Sequence, residues 1–306
     1  MRSRTPLRAV LAAIVISAGL VTSTDPGLAG GARRRIDVFP GPNAIGRAIE
    51  DARDGDILLI HRGRYREVVE VDKDVTIKGV GKRLPTIDGR CGTAVVVNVL
   101  VDGVTLKRLR VQGANEGFGG LPSEVNLAGV SDVAVRRLVF RDTCDAEYGI
   151  NVYRTGPVVV ARSVARGFSD AGLYVGGIEQ GPVLFSRNEA LDNNRGVIIE
   201  DSLPGTVVVA DNLVRNNDEP GTGAEPSGID IIRTDGVDVL RNVVRDNLVY
   251  GIRAYADLKN VSTSNRIYDN VISGSGSFDA YDETGENCWN GTTYGTASPN
   301  PPPTCP

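Results

Sequence analysis

The sequence contains an internal repeat, and this feature constrains the fold more than any other. Short apolar segments recur every 24 to 30 residues, and each ends in an asparagine. The four clearest copies are Val183–Asn188, Val207–Asn212, Val237–Asn242 and Ser264–Asn270. A strand this short cannot bury its apolar side alone, but it can do so by stacking on copies of itself. The repeat therefore predicts a solenoid of stacked coils.

A second strand recurs in the same coils, usually after a glycine. Its apolar and polar residues alternate, without any helical periodicity. Its copies are Ile150–Val152, Leu173–Val175, Val197–Ile199, Ile229–Ile231, Ile252–Ala254 and Phe278–Ala280. The pattern predicts an all-β fold, a right-handed parallel β-helix with roughly three strands per coil and roughly eight to ten coils. A β-sandwich or propeller is the alternative, but hairpin turns such as Asn-Gly do not join the aligned strands.

The alternation also predicts which side chains point inward. The first apolar residue of each glycine-led strand should face the interior in one continuous stack, made of Ile150, Leu173, Val197, Ile229, Ile252 and Phe278. On this register Asp230 points outward, so replacing it with alanine should leave stability nearly unchanged. The recurring asparagines should occupy the corners, because asparagine tolerates the left-handed conformation and its side-chain amide can bond to that of the next coil.

The two ends of the predicted domain, residues 30–286, differ from the repeat. Residues Asn43–Ala52 carry apolar side chains at helical spacing, which predicts an amphipathic helix that caps the apolar bottom of the stack. Residues 287–306 include Trp289 and a proline-rich run, and they are expected to form a tail clipped by a disulfide.

Residues 1–29 have the pattern of a secretory signal peptide. Arg2, Arg4 and Arg8 form a basic start, Leu11–Val21 is apolar, and Gly27–Ala29 is a small-residue cleavage site. A membrane anchor is the alternative, but the apolar run is shorter than the ~20 residues that a bilayer requires. We therefore expect a protein that is secreted, or held in the cell envelope, and no longer in the membrane after cleavage.

The cysteines and the net charge indicate which bonds and which partners to expect. An even number of cysteines after an export signal favours disulfides, and we expect Cys288 to pair with Cys305 and Cys91 with Cys144, although the last two lie about two coils apart. The chain has a net charge of −4 and its arginines are scattered along the predicted strands, so nucleic acid is not an expected partner. A monomer is expected.

With these residues in view, the chain resembles the pectin-lyase-like superfamily of secreted parallel β-helix proteins, including its NosD-type and surface-polysaccharide-modifying repeats. The segment from Ile45 to Asp88 is similar to that superfamily's N-terminal cap and first coil, and Asp170–Val175 and Gly196–Glu200 are similar to its coil repeats. The resemblance implies the fold and an extracellular polysaccharide as partner. It does not imply a particular reaction.

Catalytic signatures of the well-known members are missing from the sequence. The only histidine, His61, is not part of a Gly-His-Gly or Asp-Pro-His segment. An Arg-x-Pro-x-x-Arg strand would begin at Arg83-Leu-Pro85, but position 88 is Asp88. Activity therefore has to be sought in the outward side chains of the coils.

The outward side chains of the glycine-led strand form two candidate rows. One row contains Asn151, Tyr174, Asp230, Arg253 and Asp279, and the next contains Tyr153, Glu200, Tyr255 and Tyr281. Aromatic faces beside carboxylates and a guanidinium suit a sugar groove. The alternative interpretation is a surface charge ladder of small energetic benefit.

Two functions follow from these interpretations. The first is a lyase or epimerase of uronate-containing glycans, in which Arg253 neutralises a carboxylate and Asp230 or Asp279 acts as a base or as a Ca²⁺ ligand, while Tyr174, Glu200, Tyr255, Tyr281, Asn151 and Tyr153 bind the substrate. The second is a non-catalytic β-helix that binds glycan or has a structural role in the envelope. The sequence indicates no organic cofactor, and Ca²⁺ is the only metal ion that it suggests.

Overall fold

The computed structural model describes residues 33–218, 225–256, 262–299 and 302–304, and these form a right-handed parallel β-helix of about ten coils. Each coil contributes one strand to each of three sheets, and every neighbouring pair of strands is parallel. The predicted fold is confirmed. Apart from one α-helix and a short 3₁₀ turn at Glu116–Phe118, the described residues are in strands and turns.

Sheets A, B and C contain eleven, nine and ten strands. Sheet A consists of β1 Arg35–Val38, β2 Ile57–Ile60, β5 Thr76–Gly79, β8 Thr105–Lys107, β11 Val133–Arg136, β14 Val158–Ala161, β17 Val183–Ser186, β20 Val207–Ala210, β23 Asp238–Leu240, β26 Arg266–Tyr268 and β29 Cys288–Asn290. Sheet B consists of β3 Arg64–Tyr65, β6 Thr86–Asp88, β9 Arg110–Gln112, β12 Val139–Arg141, β15 Val164–Arg166, β18 Glu189–Leu191, β21 Leu213–Arg215, β24 Val243–Arg245 and β27 Val271–Ser273. Sheet C consists of β4 Val69–Val71, β7 Val95–Val99, β10 Ser123–Ala128, β13 Tyr148–Tyr153, β16 Ala171–Gly176, β19 Arg195–Glu200, β22 Ser227–Ile232, β25 Tyr250–Tyr255, β28 Phe278–Asp282 and β30 Ala297–Ser298.

The inward stack of sheet C follows the predicted register through five coils. The five side chains pair in order and are completely buried: Ile150, Leu173, Val197, Ile229 and Ile252. The sixth member was predicted to be Phe278, and this is wrong. Ala280 pairs with Ile252, whereas Phe278 pairs with Tyr250 and is partly exposed. The Phe-x-Ala segment resembles the Ile-x-Ala of the coil before it, but it enters the strand two residues earlier.

The asparagine ladders at the corners are confirmed. Asn188, Asn212, Asn242 and Asn270 are buried, and each side-chain amide donates to the amide oxygen of the next at 2.9–3.1 Å. The left-handed residue is not the asparagine but the residue before it, with φ between 52° and 59° at Arg187, Asp211, Arg241 and Asp269. The expectation that the asparagine itself adopts the left-handed conformation is therefore wrong at these corners. The asparagine follows the turn, where its side chain can point into the coil and join the ladder.

The predicted amphipathic helix is present as α1, Ala44–Asp51. Its buried residues are Ala44, Ile45, Ala48 and Ile49, and it packs against β1, β2 and β4. Its role as a cap stays a prediction.

The disulfide between Cys91 and Cys144 is confirmed, with a Cα–Cα distance of 5.5 Å. The two cysteines follow β6 and β12, which are separated in sheet B by β9 alone, so the loops after these strands meet across two coils. The predicted signal peptide and Cys305, the predicted partner of Cys288, lie outside the described residues. Among the residues that the structure describes, no helix is long and apolar enough to cross a membrane.

Candidate functional site

The outward side of sheet C gathers most of the tyrosines of the protein. Six of the nine tyrosines lie there, on β13, β16, β25 and β28: Tyr148, Tyr153, Tyr174, Tyr250, Tyr255 and Tyr281. We call this surface the tyrosine face. Beneath Tyr174 and Tyr255 lies a small apolar cluster, outside the main core, that includes Ile198 and Ile232. Tyrosine is thus concentrated on one outer surface, whereas the aromatic residues of the main core are Tyr65, Phe140, Phe168, Phe185 and Trp289.

A glycine is the second residue of five successive strands of sheet C, β13 to β25, and it sets the direction of the residue before it. A Cβ added at Gly228 would lie 2.5 Å from the carbonyl oxygen of Gly251 in the next coil. Any side chain here would collide with that coil, so this position requires glycine. The residue before this glycine then faces outward. Tyr148, Arg195 and Tyr250 occupy that position in their own coils.

Asp230 and Arg253 form the centre of the site, as the predicted register requires. They pair directly on β22 and β25, and Arg253 donates from Nε to Oδ1 of Asp230 at 3.1 Å and from Nη2 to Oδ2 at 2.7 Å. The third guanidinium nitrogen, Nη1, donates to Glu225 Oε2 at 2.9 Å. The ring faces of Tyr250 and Tyr255 lie 4.6 and 4.1 Å from the guanidinium carbon. Arg253 is therefore fully engaged by protein groups.

Arg195 extends this pair into a longer chain of charges. It donates from Nε to Asp170 Oδ1 at 2.9 Å and from Nη2 to the same oxygen, and its Nη1 lies 3.6 Å from Asp230 Oδ2. Tyr148 donates its hydroxyl to the other oxygen of Asp170 at 2.8 Å. We call Asp170, Arg195, Asp230, Arg253 and Glu225 the arginine–carboxylate chain.

The arginine–carboxylate chain is mostly buried, which corrects the prediction of an exposed row. The side chain of Asp230 is 0% exposed and that of Arg253 is 7% exposed, whereas Glu225 at the end of the chain is 59% exposed. Asp230 is thus an acceptor shared by two buried arginines. This burial changes the prediction for Asp230→Ala from nearly unchanged stability to a loss of stability, because each arginine would lose its shared anion.

Electrostatics keep the arginines charged and the phenols protonated. Burial by itself lowers the pKa of Arg253, but Asp230 outweighs it and the net pKa is raised; the same balance raises the pKa of Arg195. Burial, reinforced by Asp230, raises the pKa of Tyr255 to about 12. Burial, then Glu200, raises the pKa of Tyr174 as well. These tyrosines are hydrogen-bond donors at neutral pH and not bases.

Glu200, in the neighbouring row, is also held by protein groups. Tyr174 donates its hydroxyl to Glu200 Oε2 at 2.7 Å, and Arg233 Nη2 contacts the other oxygen. Arg233 also donates to Asp201 Oδ1 at 2.8 Å. Tyr174 and Glu200, which were predicted in two neighbouring rows, are thus joined by a hydrogen bond, and Arg233 holds Glu200 in place.

Asp279 does not join the row in which it was predicted. The two-residue difference at β28 places Tyr281 beside Arg253 and moves Asp279 to the position opposite Gly251. Asp279 is buried and accepts hydrogen bonds from the backbone N–H groups of Ser275 and Gly295, at 3.0 and 2.8 Å. It orders the turns of the last coil and is not part of the tyrosine face.

Asn151 belongs to a separate amide ladder, on sheet C. Its side chain donates to that of Asn126 at 2.8 Å, and Asn126 donates to Asn98 at 2.9 Å. At β7, β10 and β13, the row that was predicted to bind substrate thus consists of hydrogen-bonded amides. Tyr153 lies beside it on β13.

A cavity of about 500 Å³ adjoins the tyrosine face at Tyr153. Its lining includes Ser131, Arg154, Glu179 and Gln180. The guanidinium of Arg154 lies 5.1 Å from the ring centre of Tyr153, and Arg154 forms no ion pair among the residues that the structure describes. Arg154 thus differs from Arg195 and Arg253, which are neutralised by carboxylates.

Sequence reasoning missed several members of the site: Tyr148, Arg154, Asp170, Arg195, Glu225, Arg233 and Tyr250. A signal was available for three of them, because Tyr148, Arg195 and Tyr250 all stand directly before the glycine that introduces the strand. No comparable signal marks Asp170 or Glu225, since both lie in turns that approach sheet C only after folding.

The described residues contain no group of side chains that is arranged as a metal centre. No group of three or more His, Cys, Asp or Glu side chains is arranged there to hold a metal ion. The carboxylates of the tyrosine face are instead paired with arginines. No step considered below depends on Ca²⁺.

Comparisons with known proteins agree with this architecture. Residues 123–294 match the family model described as "Right handed beta helix region". Among solved structures, the pectate lyase Pel9A has a TM-score of 0.65 at 16% identity, with 87% of this chain and 78% of that chain covered. No curated protein gives a significant match.

Two further solved structures are similar over most of this chain but are much longer. The alginate lyase AlyGC, in a mutant form, has a TM-score of 0.57 at 16% identity, and 89% of this chain covers 40% of it. The enzymatically active domain of tailspike protein 2 from bacteriophage CBA120 has a TM-score of 0.60 at 12% identity, and 86% of this chain covers 42% of it. At these identities the likeness shows the fold.

Proposed function

The chain belongs to the right-handed β-helix family, and from this premise we propose that it binds an extracellular polysaccharide along the tyrosine face. The observation that carries the proposal is the concentration of six tyrosines on one outer surface of a protein that has few aromatic residues. Aromatic rings offer flat apolar surfaces to sugar rings, and phenol hydroxyls donate hydrogen bonds to sugar oxygens. The outer side of a long parallel sheet also offers an extended path for a linear polymer.

We propose a uronate-containing glycan as the bound polymer. Arg154 presents a guanidinium without a carboxylate partner in the described residues, and guanidinium groups recognise carboxylates with two parallel hydrogen bonds. Structural neighbours named as a pectate lyase and an alginate lyase support this choice of substrate class. The proposed location outside the cell depends on the N-terminal segment, and N-terminal sequencing of secreted protein tests it.

A lyase or epimerase is the second candidate function, and the contact between Arg253 and Glu225 favours it. Glu225 is the exposed end of the arginine–carboxylate chain, and a substrate carboxylate could replace it on Nη1 of Arg253. A guanidinium there would acidify the proton beside the uronate carboxylate, and the displaced Glu225 would remove that proton. In a lyase reaction the electron pair of the C–H bond then forms a carbon–carbon double bond, the bond to the glycosidic oxygen breaks, and that oxygen takes a proton from solvent. Asp230 is less suited to this step, because it is completely buried and its carboxylate is already contacted by two arginines.

The binding proposal is tested with polygalacturonate, alginate and a neutral glucan, using calorimetry or affinity electrophoresis. Tyr255→Ala should weaken binding of the acidic polymers by about tenfold, which corresponds to about 1.4 kcal/mol. Tyr268→Ala is the matched control, because Tyr268 is a partly buried tyrosine on sheet A, away from the tyrosine face. Equal binding by both variants and the wild type would remove the tyrosine face as the site.

The lyase proposal has a separate readout. Cleavage by elimination leaves an unsaturated sugar that absorbs in the ultraviolet, and Glu225→Gln should abolish this signal while glycan binding persists. No absorbing product from polygalacturonate or alginate with the wild type, at any Ca²⁺ concentration, would exclude the lyase and leave the binding function. Epimerisation is checked by proton exchange with deuterated water.

A further inference from the structure

A second concentration of charge lies at the corner between sheets A and B, across the coil from the tyrosine face. Arg137, Arg162 and Arg187 occupy equivalent turn positions in three successive coils, because the N–H of each bonds to the strand of the next coil in the same way. All three side chains are exposed. We call these three residues the arginine corner.

The arginine corner lines a shallow depression of about 280 Å³ together with Lys107, Arg136 and Ser186. Five of its lining side chains are cationic and none is acidic. Glu189, two residues after Arg187, is the nearest acid in sequence, and it forms no ion pair among the described residues. The expectation that the arginines are scattered without clustering is therefore wrong here, although the net charge of the chain is negative.

The next coils show how the same corner looks when its charges are neutralised. Asp211 occupies the turn position after Arg187, and Arg241 in the following coil donates to both of its oxygens at 2.8 and 3.2 Å. Asp269 occupies the same position one coil later. The left-handed turn thus accepts aspartate as well as arginine, so the backbone does not demand three arginines in a row.

Stacked like charges on neighbouring coils repel each other, and in the described part of the chain Arg137, Arg162 and Arg187 form no ion pair with a carboxylate. An external anion with several charges would do so. The turn positions that carry the three arginines recur at the strand spacing of ~4.8 Å, which suits a linear polymer with closely spaced sulfate or carboxylate groups. We propose that the arginine corner is a second binding site, for an acidic polysaccharide.

Nucleic acid is the less suitable polyanion for this site. Proteins that bind single strands combine a basic groove with aromatic side chains on which the bases stack. The residues that line the depression at the arginine corner include no aromatic side chain. A basic surface without aromatic side chains is better suited to a charged sugar polymer. The proposal does not rest on the function of the tyrosine face.

The test uses the full chain with heparin oligosaccharides as the sulfated probe and polygalacturonate as the carboxylated probe. Replacing Arg137, Arg162 and Arg187 together by glutamine should weaken binding of at least one probe tenfold or more at low salt. The slope of log K against log salt should fall by about two to three, since about three released counterions are lost. Replacing the three residues by lysine should restore the slope but only part of the affinity.

Arg241→Gln is the matched control, because Arg241 holds the same turn position but is paired with Asp211. It should leave both the affinity and the salt slope unchanged. Tyr255→Ala separates the two sites, since the loss of affinity and salt slope caused by the glutamine triple replacement should be the same with and without Tyr255→Ala. An unchanged salt slope in the glutamine triple variant overturns the proposal, as does equal or tighter binding of single-stranded DNA at matched charge. Unchanged circular dichroism in the triple variant confirms that it folds.

Discussion

The arginine–carboxylate chain and the arginine corner use the same side chain in opposite ways. On the tyrosine face, Arg195 and Arg253 are buried and share Asp230, so their ion pairs link neighbouring coils. At the corner, Arg137, Arg162 and Arg187 are exposed and lack carboxylate partners in the described residues. The comparison shows that the neighbouring coil decides the role of an arginine in a solenoid. Where that coil supplies a carboxylate, the arginine stabilises the fold; where it does not, the arginine can bind an external anion.

The largest effect that tests this comparison is expected at Asp230. Asp230→Ala should lower the free energy of unfolding by about 3–5 kcal/mol, because two buried arginines lose the acceptor that neutralises both. Denaturant unfolding followed by circular dichroism measures it. Asp211→Ala removes a carboxylate from an exposed pair with Arg241 and should cost less than about 1 kcal/mol. Similar losses in the two variants would show that burial does not distinguish the regions.

A smaller effect is expected at alkaline pH from Tyr255, which lies against the arginine–carboxylate chain. Its pKa is raised to about 12 in the folded protein by burial and by Asp230, from 10 in the unfolded chain. The folded state therefore retains the proton longer, and this contribution is fully present below pH 10 and is lost as the pH rises to 12. It amounts to about 2 kcal/mol at most, since Tyr255 is partly exposed. The free energy of unfolding of the wild type should fall relative to that of Tyr255→Phe as the pH rises from 10 to 12, because phenylalanine does not titrate; a constant difference there would contradict the assignment.

The smallest effect should be of opposite sign and should come from the arginine corner. Replacing Arg137, Arg162 and Arg187 by glutamine should raise the free energy of unfolding by up to about 1 kcal/mol at low ionic strength, because like-charge repulsion between coils is removed. The gain should vanish in about 1 M salt, where charges are screened within ~3 Å. Thermal unfolding at both salt concentrations measures it. A loss of stability at low salt would mean that these arginines contribute to the fold.

Several parts of the candidate site were predictable because they depend only on strand alternation. The pairing of Asp230 with Arg253 and of Ile198 with Tyr174 follows from the register that the glycine-led strands define. The same reasoning failed at Asp279, because Phe278–Ala280 matches the repeat in sequence but enters the sheet two residues earlier than the strands before it. A repeat fixes register only where its copies are unambiguous, and the last coil is irregular.

The arginine corner illustrates a signal that the sequence does contain. Its arginines recur at intervals of 25 residues, in the position before the corner residue of each coil. Reading only the apolar positions and the asparagines leaves this interval unnoticed, so the arginines look scattered. Once the coils are stacked, equal spacing along the chain becomes adjacency in space.

The sequence by itself determined the coil, the stacked valine and isoleucine interior and the asparagine ladders, because these depend on periodicity, which is a property of the chain in one dimension. Only the tertiary structure decided which charges are neutralised. Asp170 and Glu225 reach Arg195 and Arg253 from turns of unequal length, and Arg195 contacts carboxylates on the coils before and after its own. Such contacts depend on side-chain reach and loop path in three dimensions, and no repeat pattern records them.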